Sequence, residues 1–224
     1  MSLSIIIPVL NEAESLEHFL LPLQKFRNEN CEIIIVDGGS QDKTSDIAQN
    51  FSDHFFVSEG GRAKQMNAGA KCAQNSILLF LHADTVLPDN FLSLISEKCQ
   101  SHTRCWGRFN VRLSGKQFIF RIIERLMNLR SCLTGIATGD QAIFVNRKSF
   151  EAIDGFPAIP LMEDIALSKK LKSLSRPMCI TEPVVTSSRR WEQYGVWRTI
   201  FLMWQLRLAY FFGADPILLK KKYS

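Results

Sequence analysis

Ile33-Ile34-Ile35-Val36-Asp37-Gly38-Gly39-Ser40 and Leu78-Leu79-Phe80-Leu81-His82-Ala83-Asp84 are the two stretches that decide the fold. Each is an apolar run that meets a carboxylate among small residues. A run without polar alternation suits a parallel strand buried on both faces. The acid that follows then lies at the carboxyl edge of the sheet, where open α/β folds bind ligands. Two such edges suggest a nucleotide at the first and a metal-bridged phosphate at the second. A single polar strand end is ordinary in α/β domains, so the weight rests on the pair.

Outward from these runs the chain alternates. Residues 3–9 read as a first strand. Asn11-Glu12-Ala13-Glu14-Ser15 suits a helix start, and residues 12–27 carry the helical period through Leu16, Phe19, Leu20 and Leu23. Helices are expected over 42–51, 63–74 and 89–99, with strands at 32–36, 54–57 and 77–81. This alternation means βαβ units and a mainly parallel sheet. In the second half, residues 106–113 alternate like a half-exposed strand. Residues 117–130 read as an amphipathic helix, with Phe118, Ile122, Leu126 and Leu129 opposite Arg121, Arg125 and Asn128. Strands at 141–146 and 179–186 and a helix over 163–174 follow.

The 224 residues are expected to form one domain, with a basic aromatic segment over 191–224. An apolar content of 46 % is ample for a core. The six cysteines form no CxxC pair and read as reduced thiols of a cytoplasmic protein. Met1-Ser2-Leu3-Ser4 has no basic leader region, so no signal peptide is expected. Residues 186–224 hold seven bases against two acids, which equals the net charge of +5 for the whole chain. That asymmetry argues against a nucleic-acid-binding body and for a basic tail facing phosphates, a membrane surface or an acidic partner. The segment 197–212 is the most apolar, yet too short and too charged to span a membrane. It either closes the core as a final helix, the favoured reading, or lies in a membrane interface.

Ile5-Ile6-Ile7-Pro8-Val9-Leu10-Asn11-Glu12, Val36-Asp37-Gly38-Gly39-Ser40-Gln41-Asp42-Lys43-Thr44 and Leu81-His82-Ala83-Asp84 resemble the family-two glycosyltransferases of the A-type fold. The resemblance runs from residue 3 to about 190 and implies a nucleotide-binding half over 1–100 and an acceptor and catalytic half over 101–190. Gly61-Arg62-Ala63-Lys64-Gln65-Met66-Asn67-Ala68-Gly69-Ala70 and Ser187-Ser188-Arg189-Arg190-Trp191-Glu192 look like a small bacterial clade of these enzymes, described as radical-SAM- and selenodomain-associated. The resemblance implies an A-type glycosyltransferase fold, with a mostly parallel nucleotide-diphospho-sugar-binding sheet flanked by helices. It also implies an inverting, metal-dependent, non-processive transfer from a nucleotide-sugar to an acceptor hydroxyl.

Carried over residue by residue, Asp37 reads the base, and Pro8, Asn11, Glu12 and Gly38 line the nucleoside pocket. Gly61-Arg62-Ala63-Lys64 opens a helix with two cations, a setting suited to an anion, so Arg62 and then Lys64 are expected on the diphosphate. His82-Ala83-Asp84 stands where the family has Asp-x-Asp. Asp84 is the expected ligand of a divalent cation, Mn²⁺ or Mg²⁺, while His82 replaces a carboxylate. Asp164 matches the family's catalytic base, with Glu163 in support. Gly139, Asp140, Arg190 and Trp191 are assigned to the donor sugar and acceptor. For Asp37, Lys64, Asp140 and the acid pair there are plainer readings as helix-capping, surface, turn and helix-start residues.

The expected partners are a nucleotide-sugar donor and an unidentified acceptor, with a lipid-linked one among the options. No nucleic acid is expected. The location is cytoplasmic, with weak contact to the inner face of the membrane considered. Two other classes compete. A sugar-nucleotide nucleotidyltransferase needs a Gly-rich basic loop where this chain has Leu10-Asn11-Glu12. A non-catalytic membrane-docking module would rest on the C-terminal segment and the His82 departure.

Overall fold

The apolar runs become neighbouring parallel strands. In the computed structural model, which describes residues 2–100 and 104–223, β1 (Leu3–Val9), β2 (Cys31–Asp37), β3 (His54–Val57) and β4 (Ile77–Phe80) run parallel in the order β3-β2-β1-β4. Side chains alternate across the pleat. Ile5, Ile7, Ile33 and Ile35 therefore enter one core and Ile6, Ile34 and Val36 the other. Both faces are covered, which is why the runs show no polar alternation. Among the described residues, β5 (Thr85–Val86), β6 (Trp106–Leu113), β7 (Ile143–Asn146) and β8 (Met178–Thr186) complete an eight-stranded sheet, β3-β2-β1-β4-β7-β6-β8-β5. β7 is antiparallel to β4 and β6, and β5 to β8, while β6 and β8 are parallel.

The helices α1 (Ala13–Leu20), α2 (Thr44–Phe51), α3 (Arg62–Cys72) and α4 (Phe91–Cys99) alternate with the first strands. They are followed by α5 (Phe118–Thr134), α6 (Arg147–Glu151) and α7 (Glu163–Lys172). Last come α8 (Arg189–Tyr194), α9 (Val196–Phe211) and α10 (Pro216–Tyr223). The helix expected over 12–27 is α-helical only to Leu20 and then tightens to 3₁₀ turns over Leu21–Asn28, with Pro22 at their start. Gly69 sets the approach of α3 to the sheet: a Cβ there would lie 2.5 Å from Ile6 Cγ2.

Three expectations need correction. β6 is not half-exposed; it lies inside the sheet and is buried at most positions. It pairs with β7 only at Trp106 and Gly107, so the edge beyond needs other partners. α5 supplies them. Asn128 accepts from the Val111 N–H at 2.8 Å and donates to the Val111 carbonyl at 3.0 Å. Glu124 accepts from the Leu113 N–H at 2.6 Å, and Arg121 donates to the Leu113 and Gly115 carbonyls. The polar side of α5 therefore faces the protein. Phe118, Ile122, Leu126, Leu129 and Leu133 face outward, the reverse of the usual burial of an apolar stripe.

The segment 197–212 does not close the core. α9 buries Thr199 and Leu206 but leaves Trp197, Phe201, Trp204, Leu208 and Phe211 exposed. No described helix is long and apolar enough to cross a membrane. Finally, Cys99 and Cys105 are joined in a disulfide with Cα atoms 5.4 Å apart, whereas free thiols were expected; Cys31, Cys72, Cys132 and Cys179 are free. The end of α4 meets the start of β6 there, a contact that sequence spacing does not announce.

Candidate active site

The carboxyl ends of β1 and β2 carry two loops stitched into one wall. Asn11 adopts a left-handed conformation (φ 53°), and its Oδ1 accepts from the Gln41 N–H at 2.8 Å. Its own N–H donates to Ser40 Oγ at 2.9 Å. The Glu12 N–H donates to Thr44 Oγ1 at 2.8 Å, and the Ala13 N–H to Asp42 Oδ2 at 3.2 Å. Asn11 thus acts by joining the loops. Pro8 sits in β1 beyond the last residue paired with β4, Ile6, where a missing N–H costs least.

Asp37 is fully buried at the end of β2. Its Oδ1 accepts from the Gly39 N–H at 3.1 Å, the Ser40 N–H at 2.9 Å and Ser40 Oγ at 2.7 Å, and its Oδ2 accepts from the Ser45 hydroxyl. Burial works to raise its pKa, but these four donors outweigh it and the pKa is lowered. The carboxylate is occupied in shaping its own turn. Beneath it, buried Gln65 donates to the Val9 and Val36 carbonyls at 2.9 Å each, and its amide leaves only 3.1 Å for a Cβ at Gly38. Asn67 makes a two-way amide pair with the backbone of Phe156, at 2.8 and 2.9 Å. Sequence reading missed both, because Gln and Asn within a helix carry no outward sign of a buried partner.

At the second edge Asp84 is exposed beside β5, and its carbonyl accepts from the Ser187 N–H at 3.1 Å. His82 is nearly buried, with Nδ1 3.7 Å from Asp140 Oδ1. Burial and then Arg62 push its pKa down to about 3 against the opposing pull of Asp84, so the imidazole is neutral at physiological pH. Arg62 keeps open surface, yet crowding opposes its charge. Glu163, Tyr223, Asp140 and Asp84 more than offset this, and its pKa is raised. Burial raises the pKa of Glu12; Arg189 opposes this, Asp84 adds to it and Arg62 opposes it. Glu12, Asp84, Asp140 and Glu163 therefore all lie within electrostatic reach of Arg62, with Arg189 acting on Glu12.

The acid pair opens α7 after Met162, which is left-handed (φ 69°). Asp164 Oδ2 accepts from the Gly139 N–H at 3.0 Å and Oδ1 from the Ile165 N–H at 2.7 Å. Burial raises its pKa despite these donors and the nearby Arg207. Glu163 is buried, and burial followed by Asp164 lifts its pKa to about 7 against the pull of Arg62 and Lys220.

Other expected residues turn elsewhere. Lys64 pairs with exposed Glu59 at 2.5 Å. Arg190 donates to the Tyr223 carbonyl at 2.8 Å and stacks 3.8 Å above the Tyr223 ring, and Trp191 packs with α5 and α9. Arg189, one position earlier, is the arginine that acts on Glu12. The C-terminal α10 also bears on this group of charges, through Tyr223 on Arg62 and Lys220 on Glu163.

Residues 4–153 match the family model described as Glycosyl transferase family 2. The chain belongs to glycosyl transferase family 2. It is similar to the glycosyltransferase AglE of Haloferax volcanii, at 36 % identity over 90 residues, which cover 36 % of this chain and 30 % of that one. It is also similar to the poly-beta-1,6-N-acetyl-D-glucosamine synthase of Staphylococcus epidermidis, at 25 % over 219 residues, 87 % of this chain and 53 % of the synthase. The chain thus spans about a third to a half of the length of these relatives. Its fold matches S. aureus TarS 1–349 in complex with UDP-GlcNAc, with a TM-score of 0.66, 18 % identity and coverage of 84 % and 58 % of the two chains. It also matches the mannosyltransferase PcManGT of Pyrobaculum calidifontis in complex with GDP-Man and Mn²⁺, with a TM-score of 0.61, 20 % identity and coverage of 83 % and 56 %. The architecture is the A-type glycosyltransferase fold of this family: a mostly parallel sheet at the nucleotide side, flanked by helices.

Among the described residues no three His, Cys, Asp or Glu side chains form a metal cage. An exposed carboxylate at Asp84 suits a cation that takes its remaining ligands from a diphosphate and water. A neutral imidazole at His82 adds no charge to such a site.

Proposed function

We propose that this family member transfers a glycosyl unit from a nucleotide-diphosphate sugar to an acceptor hydroxyl, with inversion and one transfer per encounter. The observation that carries this reading is that Asp84 and Glu163 both act on the charge of Arg62, with Asp164 acting in turn on Glu163. The UDP-GlcNAc and GDP-Man held by the structurally similar TarS and PcManGT support a uridine or guanosine donor. The loops of Asn11 and Asp37 would receive the nucleoside, and Asp37 would act by holding residues 38–41 in shape.

Asp164 takes the acceptor proton as the hydroxyl oxygen attacks the anomeric carbon and the bond to the diphosphate breaks. A carboxylate whose pKa is raised toward neutrality is a better base than one left at its ordinary value. The Gly139 N–H fixes its orientation, and Glu163 shares its charge environment. Arg62 receives the leaving diphosphate. A divalent cation on Asp84 would supply further neutralisation there.

The outward apolar residues of α5 and α9, with basic Arg125 and Arg198, favour a peripheral contact with anionic membrane. The test of the whole reading is a hydrolysis screen of nucleotide-sugars with Mn²⁺, Mg²⁺ and chelator. Cation-dependent turnover of one donor is expected. Pyrophosphate-dependent formation of a nucleotide-sugar would instead establish a nucleotidyltransferase.

A further inference from the structure

Arg189 is fixed by its backbone to the strand end that carries Asp84. Thr85 of β5 pairs with Thr186 of β8, their hydroxyl oxygens 3.1 Å apart. One residue on, the Ser187 N–H donates to the Asp84 carbonyl at 3.1 Å, and the Arg189 N–H donates to Ser187 Oγ at 3.2 Å. Buried Ser188 locks the same turn from the other side. Its N–H donates to Ser114 Oγ at 3.1 Å and its hydroxyl to Glu192 Oε1 at 2.8 Å. The side chain, by contrast, is uncommitted. Arg189 is exposed, and among the described residues its guanidinium makes no hydrogen bond or ion pair. It acts on Glu12 through space. Arg190 differs, because the Tyr223 carbonyl and ring already hold its guanidinium.

The charges nearby give an uncommitted guanidinium a use. Glu12, Asp84, Asp140 and Glu163 lie within electrostatic reach of Arg62, and Lys220 offsets Glu163. Arg62 is thus one positive group against three remaining carboxyls, and a diphosphate brings negative charge of its own. A divalent cation on Asp84 would offset part of this. Arg189 is further positive charge at the same edge. We propose that Arg189 is a second guanidinium for the donor's diphosphate, closing on it from the Asp84 edge while Arg62 holds it from the start of α3. The proposal rests on the transferase reading for the donor, and on the placement of residues 186–189 for the arginine. A guanidinium meets two phosphate oxygens in a fork, which an ammonium group does not, so Arg189 reads the diphosphate and not charge alone. As the bond to the anomeric carbon breaks, its electron pair stays on the phosphate oxygen, so the contact strengthens during transfer.

The test is calorimetry of the full chain in Mn²⁺ with uridine and its diphosphate, and with guanosine and its diphosphate. Wild type should prefer the diphosphate of one base over the bare nucleoside. Arg189→Gln should cut that preference at least fivefold, with the nucleoside itself bound within twofold of wild type. Arg189→Lys keeps the charge without the fork and should remain at least twofold short of the wild-type preference. A cut of less than fivefold in Arg189→Gln, whether from unchanged binding or from equal weakening of nucleoside and diphosphate, would overturn the role of Arg189 and leave the transferase reading standing. Recovery to within twofold in Arg189→Lys would overturn the forked contact. A wild-type protein without any preference for the diphosphate would overturn the transferase reading and this role together.

Discussion

Gly139 lies so close to His82 that a Cβ on it would stand 2.4 Å from both Cε1 and Nε2 of the imidazole. The same glycine presents its N–H to Asp164 at 3.0 Å. One backbone position thus joins the His82 edge to the candidate base. Gly139→Ala must displace a nearly buried ring, and overpacking of this kind costs about 1–3 kcal/mol. Denaturant unfolding should show that loss, and nucleotide-sugar turnover should fall with it. Unchanged values for both would show that His82 moves freely.

The pH dependence follows from the acid pair. With Glu163 lifted from its ordinary 4.5 to about 7 and Asp164 also raised, both by burial first, the pair holds a proton that free carboxylates would have lost. The base form appears as pH rises, so kcat/KM should climb through about pH 7 as a property of the pair. Folding shows the opposite sign: between about 4.5 and 7 the folded state binds more protons than the unfolded, so the contribution of the pair to stability falls as pH rises. Glu163→Gln should flatten the stability trend, measured by urea midpoints across that window. A slope that survives the substitution would place the proton elsewhere.

Asp37→Ala should weaken nucleotide binding by about 1–3 kcal/mol, the usual loss for hydrogen bonds to a charged group. Because the carboxylate is spent on Gly39, Ser40 and Ser45, the effect should pass through the turn. Ser45→Ala, which leaves the carboxylate in place, should then weaken binding in the same direction by a smaller amount. Full nucleotide affinity in a folded Asp37→Ala protein would remove this turn from the site.

Trp204 and Leu126 are 71 % and 60 % exposed. Replacing each with Ser should change stability by no more than about 0.5 kcal/mol, as at ordinary surface sites. The same changes should weaken sedimentation with anionic vesicles, and added salt should weaken it too, since each basic residue near such a surface contributes about 1 kcal/mol. Vesicle binding indifferent to Trp204, Leu126 and salt would mean that these helices face something other than lipid.

What could be read from the sequence divides along a physical line. The strands were legible because burial on both faces leaves an unbroken apolar run, as in Ile33–Val36. The orientation of α5 was not. Its period marks a stripe, but only the unpaired edge of β6 shows that Asn128 and Glu124 are needed inside and Leu126 is left out. Arg189 and Arg190 differ by one residue, which on a helix turns a side chain by about 100°. Sequence reading could not say which of them faces Glu12 and which meets Tyr223. The Cys99–Cys105 contact depends on elements that meet only in the folded chain.

Asp164 carries the chemistry of this account, and single-turnover hydrolysis of the donor that the screen identifies tests it most directly. Asp164→Asn keeps the shape of the side chain and an acceptor oxygen for the Gly139 N–H but cannot take a proton. The rate should fall by about 10²–10⁴-fold while nucleotide affinity by calorimetry stays near that of wild type. A rate within about threefold of wild type would contradict the account, because a lost general base costs far more than that.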